Sequence, residues 1–276
     1  MGMIHKGLLA AVCLVPLTAG AVDGVIEINH ARALAGGVTP GDAPGYPVTI
    51  TQAGSYRLTG NLTQPDPNIV VVHVTAEGVT LDLNGFAIKG SANCRYLGGA
   101  NLTCDVPLAG NGHGVLAEAD GVNVTNGSVI GMGGSGLRLR SGHASKLYVA
   151  HNAGTGVYMS GVAQDIVASH NALGGIGGPQ ISASLALVVV NVVATYNGQD
   201  GIFQVAVARN VVSSFNQTGI STAGSVDGCQ VTENRDDGIN IVGSWSGCFI
   251  SGNADRAISS ALRPQNTSYC DGVGCP

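Results

Sequence analysis

Between residues 111 and 258 one arrangement recurs: an asparagine, a few residues, then a glycine followed by an aliphatic residue. It reads NAGTGV (152–157), NALGGI (171–176), NGQDGI (197–202), NQTGI (216–220), NRDDGI (234–239) and NADRAI (253–258), after weaker copies NGHGV (111–115) and MGGSGL (132–137). The marker position falls at 114, 136, 156, 175, 201, 219, 238 and 257, in steps of 18 to 26 residues. The next residue is aliphatic every time: Val115, Leu137, Val157, Ile176, Ile202, Ile220, Ile239 and Ile258. Five residues before the turn asparagines stand Leu147, Ile166, Val192, Val211, Cys229 and Cys248, and three before stand Val149, Ala168, Ala194, Ser213, Val231 and Ile250. The positions between are mostly small or polar, and such period-2 alternation predicts strands with one set of side chains inside and the other outside. A step near 19 residues is too short for a four-stranded propeller blade and lacks the leucine-rich consensus. It predicts one coil of a β-solenoid, with two or three short strands per coil.

The turns carry their own columns. Asparagine tolerates left-handed backbone and can hydrogen-bond its neighbour in the next coil. Before it come His151, His170, Tyr196, Phe215 and Glu233, read as a stacked structural corner; two histidines are too few for a metal site. Two excursions break the repeat: SANCRYLGGANLTCDVPLAGNG (91–112), and the longest coil with its excess GGPQISAS. Insertions of this kind usually carry a solenoid's function.

Upstream, Pro47–Thr51, Ser55–Thr59, Ile69–Val74 and Val79–Leu83 read as strands, and IEINHARALA (26–35) as a short helix or strand covering the open end. The first residues place Lys6 before an apolar run, Gly7–Leu17, and then Ala19-Gly20-Ala21. This is the layout of a secretory signal peptide at 1–21, too short to span a bilayer. The expected organisation is 22–68 as cap and first strands and 69–276 as the β-helix, together one domain. Export to the periplasm, cell surface or medium follows. Six cysteines remain after cleavage, and their positions suggest pairs Cys94–Cys104, Cys229–Cys248 and Cys270–Cys275. Cys229 and Cys248 share a column in neighbouring coils, which puts their Cα atoms about 5 Å apart, within disulfide range.

Composition narrows the function classes. Seventeen acids against twelve lysines and arginines, with no basic cluster, exclude a nucleic-acid footprint. Forty-three glycines disfavour a helical protein. No apolar run reaches transmembrane length; ISASLALVVVNVVA (181–194) is β-branched and interrupted by Asn191.

At GDAPGYPVTI, GSYRLTGNLT, VTLDLNGFAIKG and the Asn…Gly-Ile repeats, the chain resembles exported bacterial right-handed parallel β-helix repeat proteins of the pectate-lyase-like superfamily. The resemblance covers nearly all of residues 22–276. It implies an all-β, single-stranded right-handed parallel β-helix of about ten coils. It leaves the function open among polysaccharide lyases, glycoside hydrolases, uronan epimerases and adhesins, because fold alone does not choose. Polygalacturonase-type hydrolases carry Asn-Thr-Asp, Asp-Asp, Gly-His-Gly and Arg-Ile-Lys in that order. Here Asp236-Asp237 and Gly112-His113-Gly114 occur in the reverse order, and the other two segments are missing. The epimerase run Tyr-Gly…Asp-Pro-His is missing too.

The site candidates follow from the columns. Asp237 lies just before a marker, in the polar column His113, Ser135, Thr155, Gly174, Asp200, Thr218, Asp237 and Arg256, where a turn pairing with Arg256 is the simpler reading. Catalysis, if present, would fall on Asp200, Asp236 and Asp237; two coils put Asp200 and Asp237 about 9–10 Å apart, at the limit for an inverting glycosidase. No cofactor is expected; the one ion these acids and Glu233 would suit is Ca²⁺. For glycan binding the candidates are Arg138, Tyr158, Phe203 and Asn240, two after the marker and pointing outward, with Arg140 nearby. The expectation is a monomeric structural or polysaccharide-binding protein, with a lyase or hydrolase of uronic-acid polymers and a protein-binding adhesin as the alternatives.

Overall fold

The computed structural model describes residues 24–96, 102–107, 110–179, 186–260 and 269–270. The expected signal peptide, Cys275 and most of the GGPQISAS excess lie outside them. Three parallel ladders form the sides of a β-helix. The first sheet stacks 48–50, 72–74, 115–117, 137–139, 157–159, 176–177, 202–203, 220–222, 239–241 and 258–260. The second runs from 25–28 through 54–57, 79–82 and 122–125 to 245–246. The third runs from 62–63 through 87–89 and 127–130 to 249–251 and 269–270. The first sheet alone counts ten rungs among the described residues, so the chain makes about ten coils, as the repeat predicts.

The alternation in sequence becomes the interior. Val115, Leu137, Val157, Ile176, Ile202, Ile220 and Ile239 are all fully buried, and each sits on the next through the ladder. Each such side chain contributes roughly 1.5–3 kcal/mol, and stacking makes one continuous core of them. Between the second and third sheets a single left-handed residue turns the chain: Asn126, Lys146, Asp165, Asn191 and Asn210, then Gly228 and Gly247. The N-terminal end is closed by Val25–Ile28, which pairs with the next coil, and a helix, His30–Ala35. Asn29 caps that helix by accepting from the Arg32 amide, and Ala33 is buried in the core.

At the turn the structure corrects one expectation. The left-handed residue is the one before the asparagine: His151, His170, Tyr196, Phe215 and Glu233 have φ between 54° and 58°. This strained conformation throws their side chains outward and points the asparagines inward. Asn152, Asn171, Asn197, Asn216 and Asn234 are buried, and each Nδ2 donates to the Oδ1 of the next, at 2.8 to 3.3 Å, ending on Asn253. The marker glycine follows from that ladder. A Cβ on Gly156 would lie 2.6 Å from the Gly175 carbonyl oxygen and 2.7 Å from Asn171 Nδ2. Only hydrogen fits there.

Cys229 and Cys248 are bonded across neighbouring coils, with Cα atoms 4.4 Å apart. Cys94–Cys104 closes an antiparallel hairpin, Cys94–Tyr96 with Leu102–Cys104. The hairpin packs Ala92 and Cys94 against Ala153 and Ala172 at the asparagine turn. The expected partner of Cys270, Cys275, falls outside the described residues.

Candidate functional site

The outer face of the first sheet carries His73, Leu116, Arg138, Tyr158, Gly177, Phe203, Ser221 and Asn240 on successive rungs. A cleft of about 470 Å³ opens there, and Arg138, Arg140, Tyr158, Ser160, Glu118 and Pro179 are among its walls. The Arg138 guanidinium lies 5.6 Å from the Tyr158 ring centroid, a cation–π arrangement. Among the described residues no carboxylate pairs with it. Arg140 is tied to Asp120 at 3.4 Å, and Glu118 reaches His73 at 3.2 Å. Ser160 is 3% exposed, and its Oγ has no hydrogen-bond partner among the described residues.

Phe203 extends the aromatic surface. Its ring crosses the gap left by Gly177, where any Cβ would strike it, and approaches Tyr158 at 6.4 Å between centroids. Asn240 shares the column but stands four rungs beyond Tyr158, outside the cleft. Of the five residues singled out for binding, three therefore line one cleft, Phe203 adjoins it, and Asn240 does not reach it.

On the other side of the Arg138–Tyr158 pair lies a smaller hollow of about 200 Å³ that includes Asn111, His113, Ser135 and Thr155. The Ser135 amide donates to His113 Nδ1 at 2.9 Å, so the neutral ring carries its proton on Nε2. Burial, with Arg138 nearby, pushes the His113 pKa down to about 4. At neutral pH this histidine is an uncharged donor.

The acids lie on the same edge of the first sheet, several coils along. Asp200 has its pKa raised to about 6, chiefly by burial; a Thr218 hydrogen bond opposes the rise and Asp236 adds to it. Its electrostatic neighbour is thus Asp236. Asp237 is buried and ion-paired with Arg256 at 3.2 Å, and its pKa is raised by burial against the pull of that arginine. Asp236, Asp237 and Asp255 bring carboxylate oxygens within 4.8 Å of one another. Arg256 already pairs with two of the three. The metal-capable group thus includes Asp255 in place of Asp200. His151 and His170 do not converge on a point; their rings stack at 5.0 Å.

Among the described residues, Gly110 and Asn111 of the first excursion line the smaller hollow, which shares Arg138 and Tyr158 with the first-sheet cleft. Pro179 opens the longer coil and lines the first-sheet cleft, whereas the Cys94–Cys104 hairpin packs at the asparagine turn. Tyr96 of that hairpin packs on His170 and Tyr196 and donates its hydroxyl proton to the Asn197 carbonyl, a contact no repeat column signals. A family model described as a right handed beta helix region matches residues 113–255, just over half of the chain. No curated protein and no solved structure shows significant similarity to it.

Proposed function

The chain belongs to the right-handed β-helix family, and from that premise we propose that it is an exported, non-catalytic protein that binds an anionic, uronate-containing polysaccharide across its first sheet. The observation that carries this reading is the cleft in which Arg138, without a carboxylate partner among the described residues, lies against the Tyr158 ring. An arginine fork matches a carboxylate bidentately, and a tyrosine ring offers an apolar platform for the C–H face of a sugar. His113, held neutral, adds an uncharged donor next to the cleft. Two disulfides and the leader-like first 21 residues support export. Among the described residues no helix is long and apolar enough to cross a membrane. The motif order that polygalacturonase-type enzymes use is missing, which favours binding over turnover.

A second reading, a hydrolase or lyase acting on the same class of polymer, is favoured by one observation: the raised carboxyl of Asp200 beside Asp236. A carboxylic acid that holds its proton near neutral pH suits general-acid work. One screen separates the two. Pectate, alginate, hyaluronan and heparan are incubated with the protein, with and without calcium, following retention on the protein, unsaturated product and reducing ends. The binding reading expects retention without product, weakened about 10- to 100-fold in Arg138→Ala, the scale of a charge-assisted hydrogen bond. Product that disappears in Asp200→Asn would establish the second reading instead.

A further inference from the structure

The corner after the third sheet presents a built aromatic stack with an open end. His151, His170, Tyr196 and Phe215 follow one another up the axis, with ring centroids 5.0, 5.2 and 4.6 Å apart and planes within 24°, 16° and 6°. The next position of the column, fixed by the same left-handed backbone, is Glu233, so the rings stop at Phe215. A hollow of about 250 Å³ lies there, lined by Tyr96, Tyr196, Phe215, Glu233 and Arg235. Tyr196 and Phe215 are 38% and 40% exposed in it.

The charges at this hollow are unequal in what they offer. Arg235 is spent on the protein: its Nε donates to the Asn216 carbonyl, its Nη2 to the Asn197 and Gly198 carbonyls, and its face lies 5.2 Å from the Tyr96 centroid. It is too committed to present a fork to an anion. Glu233 is exposed and, among the described residues, has no ion-pair partner. The accessible charge is therefore a lone carboxylate beside an aromatic floor. A carboxylate accepts two hydrogen bonds from a vicinal diol, while an aromatic ring takes the C–H face of a pyranose. An anionic sugar would meet the Glu233 carboxylate and an arginine whose Nε and Nη2 are already bonded to the backbone, so its carboxylate would find no bidentate fork through them.

We propose that this corner shelf is a second carbohydrate site, selective for neutral pyranose chains and independent of the first-sheet cleft. The platform is the outer face of Phe215, the face that the stack leaves uncovered at this end, and Glu233 is the hydroxyl acceptor; Arg235 and Tyr96 hold the wall. The test is a titration of the mature protein with cellotetraose, maltotetraose, xylotetraose and mannotetraose, following the aromatic resonances of Tyr96, Tyr196 and Phe215 by NMR. Trigalacturonate serves as the anionic comparison. At least one neutral tetrasaccharide is expected to shift those resonances saturably. Phe215→Ala and Glu233→Gln should each weaken it tenfold or more, while Arg138→Ala leaves it unchanged. Trigalacturonate should leave the three resonances in place whether or not it binds elsewhere. Failure of all four neutral sugars to move them, or binding that survives both Phe215→Ala and Glu233→Gln, would overturn the proposal. Glu233→Gln keeps side-chain size at an exposed position, so its result stands even where Phe215→Ala disturbs the fold.

Discussion

Asp200 is a carboxyl held against its own ionisation. Its folded pKa, about 6, lies above the ordinary carboxylate value because burial outweighs the Thr218 hydrogen bond. As pH rises from 4 to 6 the unfolded chain releases this proton and the folded chain retains it, so stability falls across that window. The full cost, on the order of 3 kcal/mol, is present above pH 6 and absent below the unfolded pKa. Asp200→Asn is therefore expected to stabilise the protein by about 1–3 kcal/mol at pH 7.5 and by almost nothing at pH 3.5. Urea unfolding at the two pH values measures it, and an equal effect at both would refute the assignment. His113 runs the other way: its folded pKa is lowered, so its contribution is intact above pH 6.5 and lost as pH falls toward 4. That both residues belong to one polar turn column was legible in the sequence. Which of that column would titrate abnormally was not, because this depends on how deeply each turn sinks.

The asparagine ladder is the element that makes a coil. Asn197 is fully buried; its Oδ1 accepts from the Asn171 backbone and side-chain amides, and its Nδ2 donates to Asn216 Oδ1 and the Ala168 carbonyl. Asn197→Ala leaves several buried polar groups without partners, each costing roughly 1–3 kcal/mol. A loss of about 3 kcal/mol or more is expected, read by thermal or urea unfolding. Asn210→Ala, at an exposed corner, loses one amide bond to Asn191 at 3.4 Å and asparagine's tolerance of the left-handed backbone, and should cost about 1–2 kcal/mol. Comparable losses at both positions would show that burial of the ladder is not what matters. The Asn…Gly signature was readable from sequence because ladder and marker glycine meet once in every coil. The left-handed corner was not. His, His, Tyr, Phe and Glu share no backbone propensity, and only the outward throw needed to bury the next asparagine explains them.

On the scale of the whole molecule, the repeat specifies the solenoid and the departures from it specify the surfaces. Arg138 and Tyr158 were legible as outward positions of a regular column, with Arg140 nearby, and the three line one cleft. The corner shelf was not legible. It depends on Tyr96, in a hairpin outside the repeat, meeting Tyr196 and Arg235 from distant coils. Asn240 shows the converse limit: a column gives direction but not neighbourhood, and four rungs separate it from Tyr158. With a formal net charge of −5 the protein repels polyanions at long range, so uronate binding must come from the local Arg138 guanidinium, a contact that added salt weakens. The direct measurement is calorimetric titration of tetragalacturonate into wild type and Arg138→Ala, at about 50 and about 300 mM salt. The account predicts saturable binding to wild type that falls with added salt, and a variant at least tenfold weaker with a flatter salt response. Binding that is equally strong in Arg138→Ala, or no binding to wild type at low salt, would contradict it.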